Sequence, residues 1–288
     1  MELYGVLGWP ITHSWSPLMH AAAYRETGLD AHYLPLAVRP ERLEEALIGA
    51  SALGFSGLNV TVPHKAALLP FLAEVSDEAR LIGAVNTLAR RGEAWAGFNT
   101  DARGFVRSLE EEGVPLRAAR VVLLGTGGAS RAVVVGLAGA GVAEITLIAR
   151  RPEAAESLCR EFAAAFPCSL RHATFDASLE TTFAQAALLV HGTSATLGPA
   201  DEVRAFVDTL PLHALPAGSA VVDLVYRPRE TLLLRRARER GLQGVDGLGM
   251  LLHQGALAFE LWTGQSAPLA SMREALSRAA DREEKASS

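Results

Sequence analysis

Lys65 and Asp101 are the residues of this chain whose types and settings best suit chemistry. The sequence uses arginine as its default cation, and Lys65 and Lys285 are its only lysines. Lys285 lies in a polar tail, where solvation is role enough. Lys65 closes the dense run Asn59-Val60-Thr61-Val62-Pro63-His64-Lys65. A compact, titratable ammonium is something an arginine cannot supply there; chance is the alternative. Asp101 ends the run Asn99-Thr100-Asp101. It can serve as a plain helix cap, or it can orient Lys65. Hydride transfer to or from a carbinol carbon needs a matched proton transfer at its oxygen. Lys65 can move that proton and stabilise an alkoxide, with Asp101 tuning its charge state. The eight histidines form no H-x-x-x-H or Cys-His cluster, so no metal is expected.

Other polar groups fall at the ends of the same elements. Ser14 and Ser16 flank Trp15 beside a helix start, where both can face a carboxylate or simply cap the helix. Asn59 and Thr61 fall on one face of a strand, with Val60 and Val62 on the other. Polar groups on a buried strand need partners, and a bound polyol would provide them. Asn86-Thr87 adds a further amide and hydroxyl.

A second site type appears at Gly125-Thr126-Gly127-Gly128-Ala129, which follows an apolar strand and opens a helix. Glycines there permit a tight turn and close approach of a pyrophosphate to free N–H groups at the positive end of the helix. A purely structural turn is the alternative. NAD sites place an acid at the tip of the next strand, ~20 residues on. Here that tip reads Ala149-Arg150-Arg151, without a carboxylate. Guanidiniums grip a 2′-phosphate, so NADP is the expected cofactor. A solvated pair at a helix start is the alternative, and the helix dipole disfavours it.

The elements that must hold these residues alternate. Strands are expected at Leu3–Gly8, Ala31–Val38, Gly57–Val62, Ala84–Ala89 and Ala94–Phe98, and helices at Ser16–Thr27, from Pro40 to Gly54, Lys65–Val75 and from Asp101 to Gly113. After Val114-Pro115 a new unit begins with strand Arg120–Gly125. It continues through Glu144–Ala149, Ala187–His191 and Ser219–Val225, apolar runs that suit a parallel sheet covered on both faces. This rhythm gives an α/β, doubly wound fold. Helices Leu248–Trp262 and Leu269–Asp281 end the pattern, with Glu283–Ser288 frayed. The chain has 288 residues, enough for two domains, with 49% hydrophobic and 20% charged residues. A net charge of -5 argues against a nucleic-acid partner. No apolar run reaches the ~18 residues that span a bilayer, and no basic leader precedes the first strand. The two cysteines, Cys159 and Cys168, suit a reducing cytoplasm.

Taken in order, the stretches 8–17, 59–65, 83–87, 97–101, 125–132, 223–228 and 247–264 resemble shikimate dehydrogenases, across nearly the whole chain. The resemblance implies two α/β domains around a cleft. Residues 1–103 plus 248–288 would form the substrate-binding and catalytic domain, and 104–247 a Rossmann-like NADP-binding domain. It implies the reversible reduction of 3-dehydroshikimate to shikimate by NADPH in aromatic amino acid biosynthesis, with small molecules as partners. A monomer and a homodimer both stay open. Carried over, Ser14 and Ser16 would hold the substrate carboxylate, and Thr61, Asn86 and Gln254 the ring, with Asn59 nearby and Tyr226 beside the substrate. Lys65 and Asp101 would be catalytic. Gly125, Thr126, Gly127, Gly128, Ala129, Arg150, Arg151, Thr193, Ser194, Leu224 and Gly247 would bind NADP.

The chain departs from the family pattern in places. Ala149-Arg150-Arg151 stands for Asn-Arg-Thr, and His191-Gly192-Thr193-Ser194 for Asn-Ala-Thr-Ser, so His191 is expected to alter the lining of the nicotinamide side. His253-Gln254-Gly255 keeps the glutamine in a changed setting. Rival readings are a quinate/shikimate dehydrogenase using NAD, an aminoshikimate-type paralogue, and a non-catalytic NADP-binding sensor. An acid at the strand tip would favour the first, and loss of Lys65 or Asp101 the last.

Overall fold

A computed structural model describes residues 1–176 and 178–287. The chain divides into two compact units, Met1–Gly104 with Leu251–Ser288, and Phe105–Met250.

The first unit is built on strands β1 (Glu2–Gly8), β2 (Ala31–Ala37), β3 (Phe55–Val60), β4 (Glu74–Val75), β5 (Thr87–Arg91) and β6 (Ala94–Phe98). Their order in the sheet is β2-β1-β3-β5-β6-β4. β1 runs parallel to β2 and β3, while β5 runs antiparallel to both β3 and β6. The β5–β6 hairpin turns at Gly92, whose φ of 63 is in the left-handed region that glycine adopts freely. One face buries Leu7, Leu47, Leu58, Leu88 and Trp95, and burying each such side chain fully is worth about 1.5–3 kcal/mol. Elsewhere in the unit an aromatic cluster closes around His20. Its ring stacks on Tyr33 at 4.3 Å, and Tyr4 stacks on Trp262 at 4.9 Å. Trp262 donates from Nε1 to the Leu88 carbonyl at 2.9 Å. Gly57 makes room for it, since a Cβ there would come within 2.3 Å of the indole.

Several elements of this unit differ from the pattern read in the sequence. Residues 65–75 do not form a helix. They make turns, a 3₁₀ segment Leu69–Phe71 and the short β4. Pro70 lacks an N–H, and its ring would clash with the carbonyl four residues back. The helix lies further on, at Asp77–Ile82, where the Ser76 hydroxyl accepts the Ala79 N–H and Gly83 closes the end with φ 71. β3 ends at Val60, and beyond it the alternation fails: Val62 is 68% exposed. The last helix runs Leu269–Ser287, past the expected fraying point at Glu283; Ser288 lies outside the described residues.

The second unit holds an all-parallel sheet of β7 (Arg120–Leu124), β8 (Glu144–Ile148), β9 (Ser169–Ala173), β10 (Leu188–His191), β11 (Ala220–Asp223) and β12 (Gln243–Val245). Their order is β12-β11-β10-β7-β8-β9, the doubly wound arrangement whose strand order reverses beside β7. Val122, Ile148, Phe183, Leu189, Val221 and Leu233 pack one face. The continuous burial of β10 and β11 explains their unbroken apolar sequences.

Candidate active site

In the first unit, topology gathers the polar groups at one end of the sheet. The parallel strands β1 and β3 both exit there, carrying Ser14 and Ser16 on one loop and Thr61 and Lys65 on the next. Because β5 runs antiparallel to β3, it starts at that end with Thr87, directly after Asn86. β6 returns to the same end with Asn99, Thr100 and Asp101.

Lys65 is held through its backbone. The Val85 N–H donates to its carbonyl at 2.8 Å, and the buried ring of the preceding His64 is hydrogen-bonded to the Val38 carbonyl at 2.8 Å. Its Nζ donates to Asp101 Oδ2 at 2.6 Å. The side chains are 17% and 6% exposed. A buried ion pair gains little net stability, because desolvation offsets its attraction, so its presence calls for a chemical reason. Among the described residues Asp101 is the hydrogen-bond acceptor of Nζ. An ammonium has three protons to give, so donors remain for a ligand.

Asp101 is not the cap of its helix. It is the first residue of the helix, its N–H donates to the Asn99 side chain at 2.9 Å, and its carboxylate oxygens accept from Lys65 and Asn86. Asp101 Oδ1 accepts from Asn86 Nδ2 at 2.8 Å, and Asn86 Oδ1 accepts the Thr100 N–H at 2.7 Å. The amide of Asn86 therefore has one orientation. Gln254 approaches from helix Leu248–Thr263, its Oε1 3.5 Å from Asn86 Nδ2, while its Nε2 donates to the Leu251 carbonyl at 2.8 Å. Gly104 permits this approach, since a Cβ there would lie 2.7 Å from the Gln254 nitrogen.

Asn59 meets protein partners where the sequence led to the expectation of a bound polyol. It is 5% exposed. Its Oδ1 accepts the Tyr33 hydroxyl at 2.7 Å, and its Nδ2 donates to Thr87 Oγ1 at 3.1 Å. The protein itself supplies the partners expected from a polyol. Tyr33 went unread as a site residue, because its pairing with Asn59 crosses from β2 to β3 over the intervening β1 and leaves no local signal. Thr61 is half-buried, its N–H donating to the Leu7 carbonyl at 2.8 Å. Ser14 Oγ accepts the Ser16 N–H at 3.2 Å, so Ser14 ties the turn that opens helix Ser16–Thr27.

In the second unit, the candidate cofactor residues follow the carboxyl ends of the parallel strands, where doubly wound sheets bind ligands. Gly125 leaves β7 with φ 116. A Cβ on it would come 2.8 Å from Thr193 Cγ2 on the loop after β10, so glycine is required on both counts. Thr126, Gly128 and Ala129 follow, partly exposed. Helix Gly128–Gly139 has Gly127 at its N-cap and no side-chain cap, and a Cβ on Gly127 would meet nothing within 4 Å. Open space in front of uncapped N–H groups fits a pyrophosphate. Arg150 and Arg151 stand exposed past β8. Ser194 is exposed, and Leu224 and Tyr226 are half-buried after β11. Gly247 donates its N–H to the Val225 carbonyl at 3.0 Å, and a Cβ on it would lie 2.1 Å from the Leu224 oxygen. His191 lines nothing itself: it is fully buried, with one ring nitrogen bonded to Asp223 and the other to Thr193.

Among the described residues no group of histidine, cysteine and carboxylate side chains could hold a metal ion, and no helix is long and apolar enough to cross a membrane.

Comparison with known proteins gives a consistent picture. Residues 6–88 match the family model of the shikimate dehydrogenase substrate binding domain, and residues 247–276 that of the shikimate 5'-dehydrogenase C-terminal domain. The chain is 44% identical over 277 residues to the shikimate dehydrogenase (NADP(+)) of Symbiobacterium thermophilum, covering 95% of this chain and 93% of that one. It is 47% identical over 275 residues to the Anaeromyxobacter dehalogenans protein of the same name, covering 95% of each. Among solved structures, the shikimate 5-dehydrogenase of Thermus thermophilus in complex with NADP(H) and shikimate superposes with a TM-score of 0.85. It is 40% identical, over 97% of this chain and all of that one.

Proposed function

The chain belongs to the shikimate dehydrogenase family, and on that premise we propose that it reduces 3-dehydroshikimate to shikimate with NADPH, reversibly, using Lys65 and Asp101 as its catalytic pair. The observation that carries this reading is the 2.6 Å bond between Lys65 Nζ and Asp101 Oδ2 at the gathered end of the sheet. Reduction of a ketone places negative charge on its oxygen, and that oxygen must end as a hydroxyl. Lys65 offers an ammonium proton for it and stabilises the developing alkoxide. Asp101, fixed by Asn86, aims the ammonium. In oxidation the same pair takes the proton back. Bound NADPH supplies the hydride.

We assign substrate binding to Met1–Gly104 with Leu251–Ser288, and NADP binding to Phe105–Met250. Ser14 and Ser16 would hold the carboxylate, and Thr61, Asn86 and Gln254 the ring hydroxyls. Asn59 would act from behind, through its bonds to Thr87 and to the Asn86 carbonyl at 3.3 Å. The glycine loop would hold the pyrophosphate, and Arg150 with Arg151 the 2′-phosphate, which favours NADP over NAD. The enzyme would serve aromatic amino acid biosynthesis in the cytoplasm, as a monomer or homodimer.

The test is the initial rate of shikimate oxidation with NADP, followed by NADPH absorbance, beside quinate and beside NAD. Turnover confined to shikimate and NADP supports the assignment. Comparable turnover of quinate with NAD would move the chain to broader-specificity relatives, and no turnover with any pair would remove the catalytic reading.

A further inference from the structure

β10 ends on His191, which reaches no solvent yet has both ring nitrogens engaged. Nδ1 lies 2.9 Å from Asp223 Oδ1, and Nε2 lies 2.6 Å from Thr193 Oγ1. Asp223 pairs with His191 in register on the neighbouring β11 and is equally buried. Its Oδ2 accepts the Thr231 hydroxyl at 2.8 Å, and its Oδ1 also accepts the Val225 N–H at 3.2 Å. Both oxygens are thus anchored, and with Nδ1–H directed at the carboxylate the imidazole has one orientation. Nε2 is left to meet Thr193, whose hydroxyl also accepts the Ala195 N–H at 3.1 Å.

Thr193 itself is exposed, at the strand-order switch of the sheet. Its methyl faces the glycine loop at close range: a Cβ on Gly125 would lie 2.8 Å from Thr193 Cγ2. The preceding residue, Gly192, is as tightly met, since a Cβ there would lie 2.6 Å from Ser130 Oγ in the first turn of helix Gly128–Gly139. The loop after β10 and the loop after β7 therefore approach closely at these two glycines, with no room for a side chain at either.

We propose that His191 is a positioning residue for the dinucleotide. Anchored on Asp223, it fixes the Thr193 hydroxyl and holds that residue close to Gly125, and so sets the shape of the crevice that receives NADP. The inference rests on the reading of Phe105–Met250 as the NADP-binding unit. It differs from a purely structural role, in which a satisfied buried histidine affects stability alone.

The test is calorimetric titration of the full chain with NADP, beside its thermal midpoint. His191→Leu removes both bonds and is expected to raise Kd by about tenfold. His191→Asn returns the amide that the family motif carries here and is expected to recover most of that loss. Thr193→Val keeps the methyl and removes the hydroxyl. If His191 acts through Thr193, adding His191→Leu to Thr193→Val weakens binding no further. A lowered midpoint with unchanged Kd in His191→Leu would overturn the proposal, as would fully additive losses in the double variant. Should His191→Leu fail to fold, Thr193→Val at its exposed position carries the test, and an unchanged Kd there overturns it. Failure of the unaltered chain to bind NADP would defeat the NADP reading as well, and is told apart because no substitution is needed to see it.

Discussion

Asp101 accepts from Lys65 Nζ at one oxygen and from Asn86 Nδ2 at the other, at 2.6 and 2.8 Å. The three side chains come from the turn after β3, the residue before β5 and the helix after β6. A carboxylate so divided cannot rotate without breaking a bond, and it keeps the ammonium in one place. Lys65→Met removes the proton donor while keeping much of the aliphatic stem. We expect kcat to fall by ~10²–10⁴ with little change in KM. Steady-state kinetics with shikimate and NADP reads this directly, and near-normal turnover would take Lys65 out of the chemistry.

Behind that pair lies a layer that touches Asp101 only through others. The Tyr33 hydroxyl donates to Asn59, Asn59 donates to Thr87, and the Thr87 hydroxyl donates to Asn86 Oδ1 at 2.9 Å. Tyr33→Phe strips one buried acceptor of its donor, which costs about 1–3 kcal/mol. Urea unfolding should show that loss. The layer also predicts a lower kcat with unchanged KM for NADP. Full stability and full activity together would mean that Asn59 finds another donor.

The pairing of Lys65 with Asp101 was legible in the sequence because residue type carried it. A lone internal lysine in an arginine-rich chain and an Asp after Asn-Thr stand out without any fold. The orientation of Asn59 was not legible. Alternation put it on a polar face, but its partner Tyr33 sits two strands away in the sheet, and only that long-range pairing shows the amide already satisfied. The stretch 65–75 misled for the opposite reason. Its apolar content suits a helix, while Pro70 rules one out and the true helix, capped by Ser76, begins only at Asp77. His191 stood out as a departure, yet its role needed β11 to bring Asp223 beside it.

Arg150 and Arg151 stand exposed where an acid would favour NAD. A guanidinium on a 2′-phosphate is worth far more than one on a 2′-hydroxyl. Arg150→Ala should therefore raise KM for NADP by about tenfold or more and leave NAD little changed. Rates measured with both cofactors decide it. An equal loss for the two would point to damage in the fold instead.

His20 gives the fold a pH dependence of known sign. Burial among Tyr24, Tyr33 and Trp262 holds its imidazole far below the usual range, at about 3, and among the described residues neither ring nitrogen has a hydrogen-bond partner. The unfolded chain takes up this proton near pH ~6.5, whereas the folded chain resists until about pH 3. Between these values the unfolded state binds more protons, so stability falls as pH falls, by up to ~1.4 kcal/mol per unit from this group. Above that window His20 adds no slope. Urea unfolding at about pH 7.5 and about pH 5 should show the loss. His20→Phe keeps the stack and removes the titration, so its stability should fall less over the same interval. Parallel losses in the two proteins would mean that the His20 ring gains a proton in the folded state, and that the aromatic cluster opens to water well before the molecule unfolds.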